Sequence, residues 1–491
     1  MPNVPRVLAR WLSIAAIAAP IWPVPVAAQA PAEPTLDAAT RAMIDSTARA
    51  VLAATGVPSA SVAVVSGGRI AYRQAYGTAR LSPAVAAQPD MRYAVGSVSK
   101  QFTATAVLIL AQEGKLSLSD PVSRYVPGLT RGDEVTIREI LSHTSGYQDY
   151  WPQDYVMPNM LVPTTAQQIL DTWAKKPLDF DPGTQWQYSN TNYVIAGRIV
   201  EQISGMPLIQ FLQTRVFAPL GMHSIADVNM GRLGETDAIG YYRHALGPLR
   251  AAPIMAAGWL FAAGELAMTA GDLAQWDISL IDRRVLSPAW YDTLTAPVML
   301  KNGTDTRYAL GIFIGTEGGR AVWEHSGEVS GFTSEDIVLP DLHAAVVVLT
   351  NQDASTAAGQ IGQRVARALV AAAASPSSQG GGGDARAAAT ARSILTGLQQ
   401  GHIDRSLFSD NANYYFNDEA MRDYASSLGP LGTPDQFCQT GRQERGGMTY
   451  RSYLAVFPKH PVTITTYQWP DGKLEQYLAF AARSATAACP R

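Results

Sequence analysis

The sequence predicts an α+β protein: one antiparallel sheet assembled from the two ends of a long first domain, helices between those ends, and a small second α+β domain at the C-terminus. Three observations carry this expectation. Strand-like apolar runs occur near residues 61–77 and again near 308–349, with helical stretches between them. A run that cannot build a packed element, Ser375-Pro376-Ser377-Ser378-Gln379-Gly380-Gly381-Gly382-Gly383, follows the second block. Beyond it, one helical stretch precedes three alternating apolar runs. With 491 residues, 47% of them hydrophobic and 16% charged, the chain exceeds one ordinary domain and can bury sizeable cores.

Taken in order, residues 1–28 read as a secretory signal. Arg6 and Arg10 form a basic start, residues 12–21 are apolar, and small residues before Gln29 offer a cleavage site after Ala28. Pro20, Pro23 and Pro25 break the apolar stretch, which is too short for an anchor, so no transmembrane segment is expected after signal removal. Residues 29–374 form the first domain. Its residues 36–54 are helical in composition, and 61–65 and 69–77 read as strands joined at Gly67-Gly68. Residues 101–113 read as a buried helix. Short apolar strands are expected at 308–314, 321–324, 333–339 and 344–349, then a helix over about 359–374. Residues 375–384 are the linker. In the second domain, 385–491, a helix at 387–400 precedes strands at 449–457, 462–469 and 474–480, with Asp471-Gly472 turning the last pair. The aromatic-rich composition of this tail predicts a nuclear transport factor 2-like cone, with self-association as its expected role.

The formal net charge of −3 carries no basic excess, which excludes nucleic acid and anionic lipid as expected partners. A small-molecule or peptide substrate fits better. Cys438 and Cys489 are the two cysteines of the chain. In an exported protein an even count predicts one disulfide, worth roughly 4 kcal/mol on the chain-entropy model; two buried thiols are the alternative. No Cys and His cluster has zinc spacing, so neither metal nor organic cofactor is expected.

Chemistry concentrates at Ser97-Val98-Ser99-Lys100, where a strand-like 92–95 passes through Gly96 into the buried helix. At this spacing the hydroxyl and the amine share one helix face. A serine hydroxyl is a weak nucleophile that needs a base, and a lysine serves as one when burial and nearby positive potential favour its neutral form. The helix beyond is apolar on nearly every face, so Lys100 opens a core helix rather than a solvated one.

The segment Val95-Gly96-Ser97-Val98-Ser99-Lys100-Gln101-Phe102-Thr103-Ala104 closely resembles the first motif of the serine β-lactamase-related, penicillin-recognising family. Three more segments resemble that family, in its order: Gly114-Lys115-Leu116-Ser117-Leu118-Ser119-Asp120-Pro121, Leu141-Ser142-His143-Thr144-Ser145-Gly146, and Pro182-Gly183-Thr184-Gln185-Trp186-Gln187-Tyr188-Ser189-Asn190. The resemblance covers roughly residues 35–372. It implies a β-lactamase/transpeptidase-like fold, in which helices flank the sheet and a helical subdomain stands beside it. It also implies that Tyr188-Ser189-Asn190 is the second motif, with the Tyr188 phenol sharing the role of base and the Asn190 amide holding a substrate carbonyl or Lys100. Tyr415-Phe416-Asn417 has the same pattern outside the family's order and reads as structural. The third motif is His325-Ser326-Gly327, where many relatives carry K-T-G. There Gly327 is expected to let the substrate backbone approach the strand, and the Glu328 N–H to complete an oxyanion hole with that of Ser97. A histidine offers a substrate carboxylate no permanent cation, which pulls the expectation towards D-aminopeptidases and esterases and away from a true β-lactamase. His143, in the turn motif, is read as structural, Asp120 and Asp272 as helix caps, and Tyr147, Tyr150, Trp151 and Tyr155 as either packing or a cleft wall.

The expected function is that of an exported, periplasmic or secreted serine hydrolase, acylated on Ser97 by an ester, a D-amino-acid amide or peptide, or a β-lactam. The alternative is an envelope sensor that acylates without turnover.

Overall fold

The computed structural model describes residues 36–153, 155–372, 385–445, 448–482 and 489. The expected signal segment, 1–28, and linker, 375–384, lie outside the described residues. Residues 34–491 form one compact unit, and no helix among the described residues is long and apolar enough to cross a membrane.

Helix α1 (Ala38–Thr55) opens at Asp37, whose carboxylate accepts from the Thr40 N–H, and stops at Gly56, which takes the left-handed conformation that glycine adopts without strain. Strands β1 (Ser59–Ser66), β2 (Arg69–Leu81) and β3 (Ala84–Ala86) follow. Near the other end of this region come β4 (Phe313–Glu317), β5 (Arg320–Val329), β6 (Phe332–Leu339) and β7 (Ala344–Thr350). Among the described residues these seven make one sheet in the order β3-β2-β1-β7-β6-β5-β4. The N-terminal hairpin joins the C-terminal strands where β1 pairs antiparallel with β7, Val62 opposite Val348. Successive β1 residues face opposite sides: Val62 and Val64 meet α1 and the helix Ala357–Ala371, while Ala63 and Val65 meet the larger core. Burial on both faces is why this strand reads as a continuous apolar run rather than an alternating one.

On that second face lies α2 (Ser99–Gln112), buried from Ser99 to Ala111, with α3 (Asn190–Ser204) and α4 (Ala270–Asp282) packed around it. Thr269 caps α4, whereas Asp272, expected to cap it, accepts from the Ser224 N–H and hydroxyl instead. One expected strand is displaced. Residues 308–312 turn rather than extend, because Gly311 holds φ at 82° and the Ala309 N–H reaches the Ile312 carbonyl, so the strand starts at Phe313. The strand expected at 321–324 runs on to Val329.

Among the described residues beyond 384 lie three α-helices, Ala385–Gln399, Asp410–Tyr415 and Asp418–Leu428, and an antiparallel meander of Gln436–Arg445, Met448–Val456, Val462–Gln468 and Leu474–Ala481. The first of these strands and the last two helices escaped the sequence reading, for their apolar residues are sparse. Asn417 caps Asp418–Leu428 through the Glu419 and Ala420 N–H groups, a structural use of the second Y-x-N. Cys438 and Cys489 are joined as a disulfide.

Candidate active site

Ser97 sits on a single 3-10 turn, Gly96–Val98, between the two-residue strand Tyr93–Ala94 and α2. Two glycines bring that turn against β5. Gly96 has φ +53°, and a Cβ on it would lie 2.8 Å from the Glu328 nitrogen. A Cβ on Gly327 would lie 2.0 Å from the Val95 carbonyl oxygen. Gly327 therefore serves the close approach of β5 to the nucleophile's own segment, where the sequence reading gave that space to substrate backbone. Ser334 fastens the contact by donating its hydroxyl to the same Val95 oxygen. Val329 pairs with Phe332 across the two-residue turn and Glu328 with Thr333. The alternation of an antiparallel ladder then turns the Glu328 N–H away from β6, towards Ser97.

The Lys100 side chain is fully buried. Its Nζ lies 3.0 Å from Ser97 Oγ, 2.8 Å from Asn190 Oδ1 and 2.8 Å from the Ala263 carbonyl oxygen. It also sits 4.9 Å from the centre of the Tyr188 ring, so the first two motifs meet at one point. Asn190 is oriented from behind: its Nδ2 faces Asp149 Oδ1 at 3.1 Å and the Trp151 carbonyl at 3.2 Å, both pure acceptors, which commits Oδ1 to Lys100. Asp149 also accepts the Asn190 backbone N–H at 2.9 Å. His143, with φ 59°, accepts the Ser189 N–H on Nδ1 at 3.1 Å, and its ring lies 4.2 Å from that of Tyr188. It holds the second motif in place.

His325 stands on β5 beside Tyr188 and is not among the residues lining the slot at Ser97. It is 2% exposed, and its ring is enclosed by Tyr188, Tyr308 and Phe313. Nδ1 lies 2.6 Å from the Ser326 carbonyl and must donate to it, so Nε2 accepts from the Tyr308 hydroxyl at 3.1 Å. Burial above all, reinforced whenever Lys100 carries a proton, pushes its pKa down to about 3, and the ring is neutral at physiological pH. Ser97, Asn190 and Glu328 line a slot of about 30 Å³ together with Tyr150, Trp151 and Tyr155. Three participants were not singled out from sequence: Asp149, the Ala263 carbonyl and Ser334. Asp149 alone left a trace, as an acid within the aromatic loop after the His143 turn.

This arrangement, a buried lysine beside a serine at the start of a core helix under a glycine-bearing strand, defines a β-lactamase/transpeptidase-like protein. The family model described as Beta-lactamase matches residues 44–371, and the chain belongs to that family of serine β-lactamase-related hydrolases. It is 29% identical over 311 residues to Penicillin-binding protein 4* of Bacillus subtilis (strain 168), covering 60% of this chain and 68% of the relative. A D-stereospecific amidohydrolase from Streptomyces sp. superposes with a TM-score of 0.57 at 27% identity, over 67% of this chain and 99% of that one. The octameric penicillin-binding protein homologue from Pyrococcus abyssi shares the fold over 91% of this chain and 97% of its own, with a TM-score of 0.61 at 20% identity.

Proposed function

We propose that the chain is an exported serine hydrolase that forms an acyl-enzyme on Ser97 and releases it with water. The observation that carries this reading is the three-way contact of Lys100 Nζ. Asn190 Oδ1 and the Ala263 carbonyl can only accept, so a neutral amine gives both its protons to them and turns its lone pair to the Ser97 hydroxyl. Ser97 Oγ attacks the substrate carbonyl carbon as its proton passes to Lys100, with the Tyr188 phenol as the second acceptor in the cluster. The Ser97 and Glu328 N–H groups receive the negative charge on the carbonyl oxygen. The bond to the leaving oxygen or nitrogen breaks as that atom takes the proton. Water then adds to the acyl carbon, the Oγ–C bond breaks, Oγ regains a proton, and the free acid departs.

The substrate carries an ester or a D-amino-acid amide or peptide bond more readily than a β-lactam with its carboxylate. Two observations support this: His325 is buried and neutral at the place of a cationic third-motif residue, and the Streptomyces relative is an amidohydrolase of D-stereospecificity. His325 then acts on substrate through Tyr188 and Tyr308 rather than by contact. Residues 385–491 form an accessory domain, for which self-association is the expected role, read by the mass of the full chain in solution. Ser97→Ala is expected to leave the thermal midpoint unchanged and abolish labelling by a p-nitrophenyl phosphonate; labelling that survives refutes the assignment. With a D-amino-acid amide, a short-chain nitrophenyl ester and a chromogenic cephalosporin, steady turnover of either of the first two is expected. One equivalent of product followed by silence would instead identify a sensor.

A further inference from the structure

The slot at Ser97 holds about 30 Å³, room for two or three waters and not for a substrate side chain. A second cavity of about 440 Å³ adjoins it, sharing Leu260, Val329 and Ser330 with the slot. Two loops wall it, residues 228–240 and 251–260, over a floor that includes Ala94 and Phe332. Leu233, Ile239, Ile254 and Met255 are among the apolar side chains that those loops contribute. Three charged side chains stand on its lining, Arg80, Arg232 and Glu235. Arg80 donates to the Asp237 and Gly234 carbonyls at 2.9 and 3.0 Å and so pins the first loop, while Arg232 and Glu235 are exposed. A carboxylate or ammonium seated on the apolar floor and loop side chains would lose water without gaining a partner there, whereas an apolar chain would gain contact.

Position decides which half of the substrate goes there. The leaving atom must take its proton from the Lys100 and Tyr188 cluster, which lies beside His325. The cavity opens at Val329, the far end of the same strand, four residues on and so roughly 13 Å away, and at Ser330 in the turn that follows. The group on that side of the carbonyl is the acyl half.

We propose that this cavity is the acyl subsite, and that it selects substrates whose acyl group is uncharged and bulky or long, such as a medium-chain fatty acyl group or a large apolar side chain. The inference rests on the Ser97 reading above. Its test uses the full chain and p-nitrophenyl acetate, butyrate, octanoate and hemisuccinate, reading nitrophenol release in the first turnover, which reports acylation whether or not water completes the cycle. The second-order rate is expected to rise at least tenfold from acetate to octanoate and to be lowest for the hemisuccinate. Leu233→Trp from one loop and Ile254→Trp from the other are each expected to cut the octanoate-to-acetate ratio at least fivefold. Ile254 is 54% exposed, so its replacement leaves the core intact. A flat or falling series in the parent, or a ratio that neither variant moves, overturns the subsite while Ser97 labelling still stands. Release that persists in Ser97→Ala overturns the nucleophile instead. Should both variants misfold, the parent's chain-length series decides alone.

Discussion

Asp149 fixes which way round the Asn190 amide sits, and through it where the Lys100 lone pair points. Removing the carboxylate in Asp149→Ala leaves the Trp151 carbonyl to hold the amide and makes it easier to rotate, presenting NH₂ to a lysine that needs an acceptor. We expect kcat to fall about 10²-fold with little change in KM, measured by ester turnover alongside the thermal midpoint; a change confined to KM would remove the positioning role. Gly327→Ala is a harsher case, since its Cβ would press on the Val95 carbonyl, a backbone atom that cannot swing aside. Denaturant unfolding should register a loss of about 3 kcal/mol, and first-turnover release should vanish with the displaced Ser97. At this scale Ser97, Lys100, Tyr188 and Asn190 were legible because their spacing and order are local properties of the chain. Asp149 and Ala263 were not, because one acts through a turn and the other through a carbonyl that every residue carries. His325 was found, but not its enclosure by Tyr188, Tyr308 and Phe313, since what surrounds a strand residue comes from distant segments.

The second helix, Ser99–Gln112, was readable as a core element because it is apolar on nearly all sides, but the reason it tolerates Gln101 at its start was hidden. Gln101 donates to Asp336 on β6 at 2.8 Å and accepts from the Trp276 indole on α4 at 2.9 Å. Asp336 in turn faces Asp277 on α4, and both carboxyls are fully enclosed. Three elements far apart in sequence build this cluster, and no window along the chain contains it. Burial, and for Asp277 the charge of its neighbour, raises both pKa values above the ordinary aspartate range. The folded state therefore holds protons that the unfolded chain releases. Stability from this pair is complete below the ordinary aspartate pKa and is lost as pH rises through the folded values. Asp336→Asn keeps an acceptor for Gln101 and a donor for Asp277 without that proton. Its thermal midpoint should exceed the parent's at pH 8, and the gap should close towards pH 4; a gap independent of pH would show that the carboxyls titrate normally.

At the scale of the whole molecule, the residues from 385 onwards are held against the first domain by specific contacts. Arg250 bridges Asp423 at 2.6 Å and Glu419 at 3.2 Å, Ala245 enters the tail's own core, and the Tyr155 hydroxyl donates to the Glu475 carbonyl at 2.7 Å while its ring lies 5.1 Å from that of Tyr415. These contacts come from loops and single side chains without period, so neither composition nor periodicity could reveal the docking. Tyr155 also lines the slot at Ser97, which makes one wall of that slot rest on the tail. Tyr155→Phe deletes the bond to Glu475 and keeps the ring; about 1 kcal/mol of stability should go with it, and KM should rise because the wall is no longer anchored. Arg250→Ala removes the cation that pairs with both Asp423 and Glu419 and leaves the slot untouched, so it separates docking from lining. Calorimetry of the parent should give one cooperative transition for both parts, and the double variant two. A parent that already unfolds in two steps, with KM insensitive to Tyr155→Phe, would mean that the tail merely rests beside the catalytic site.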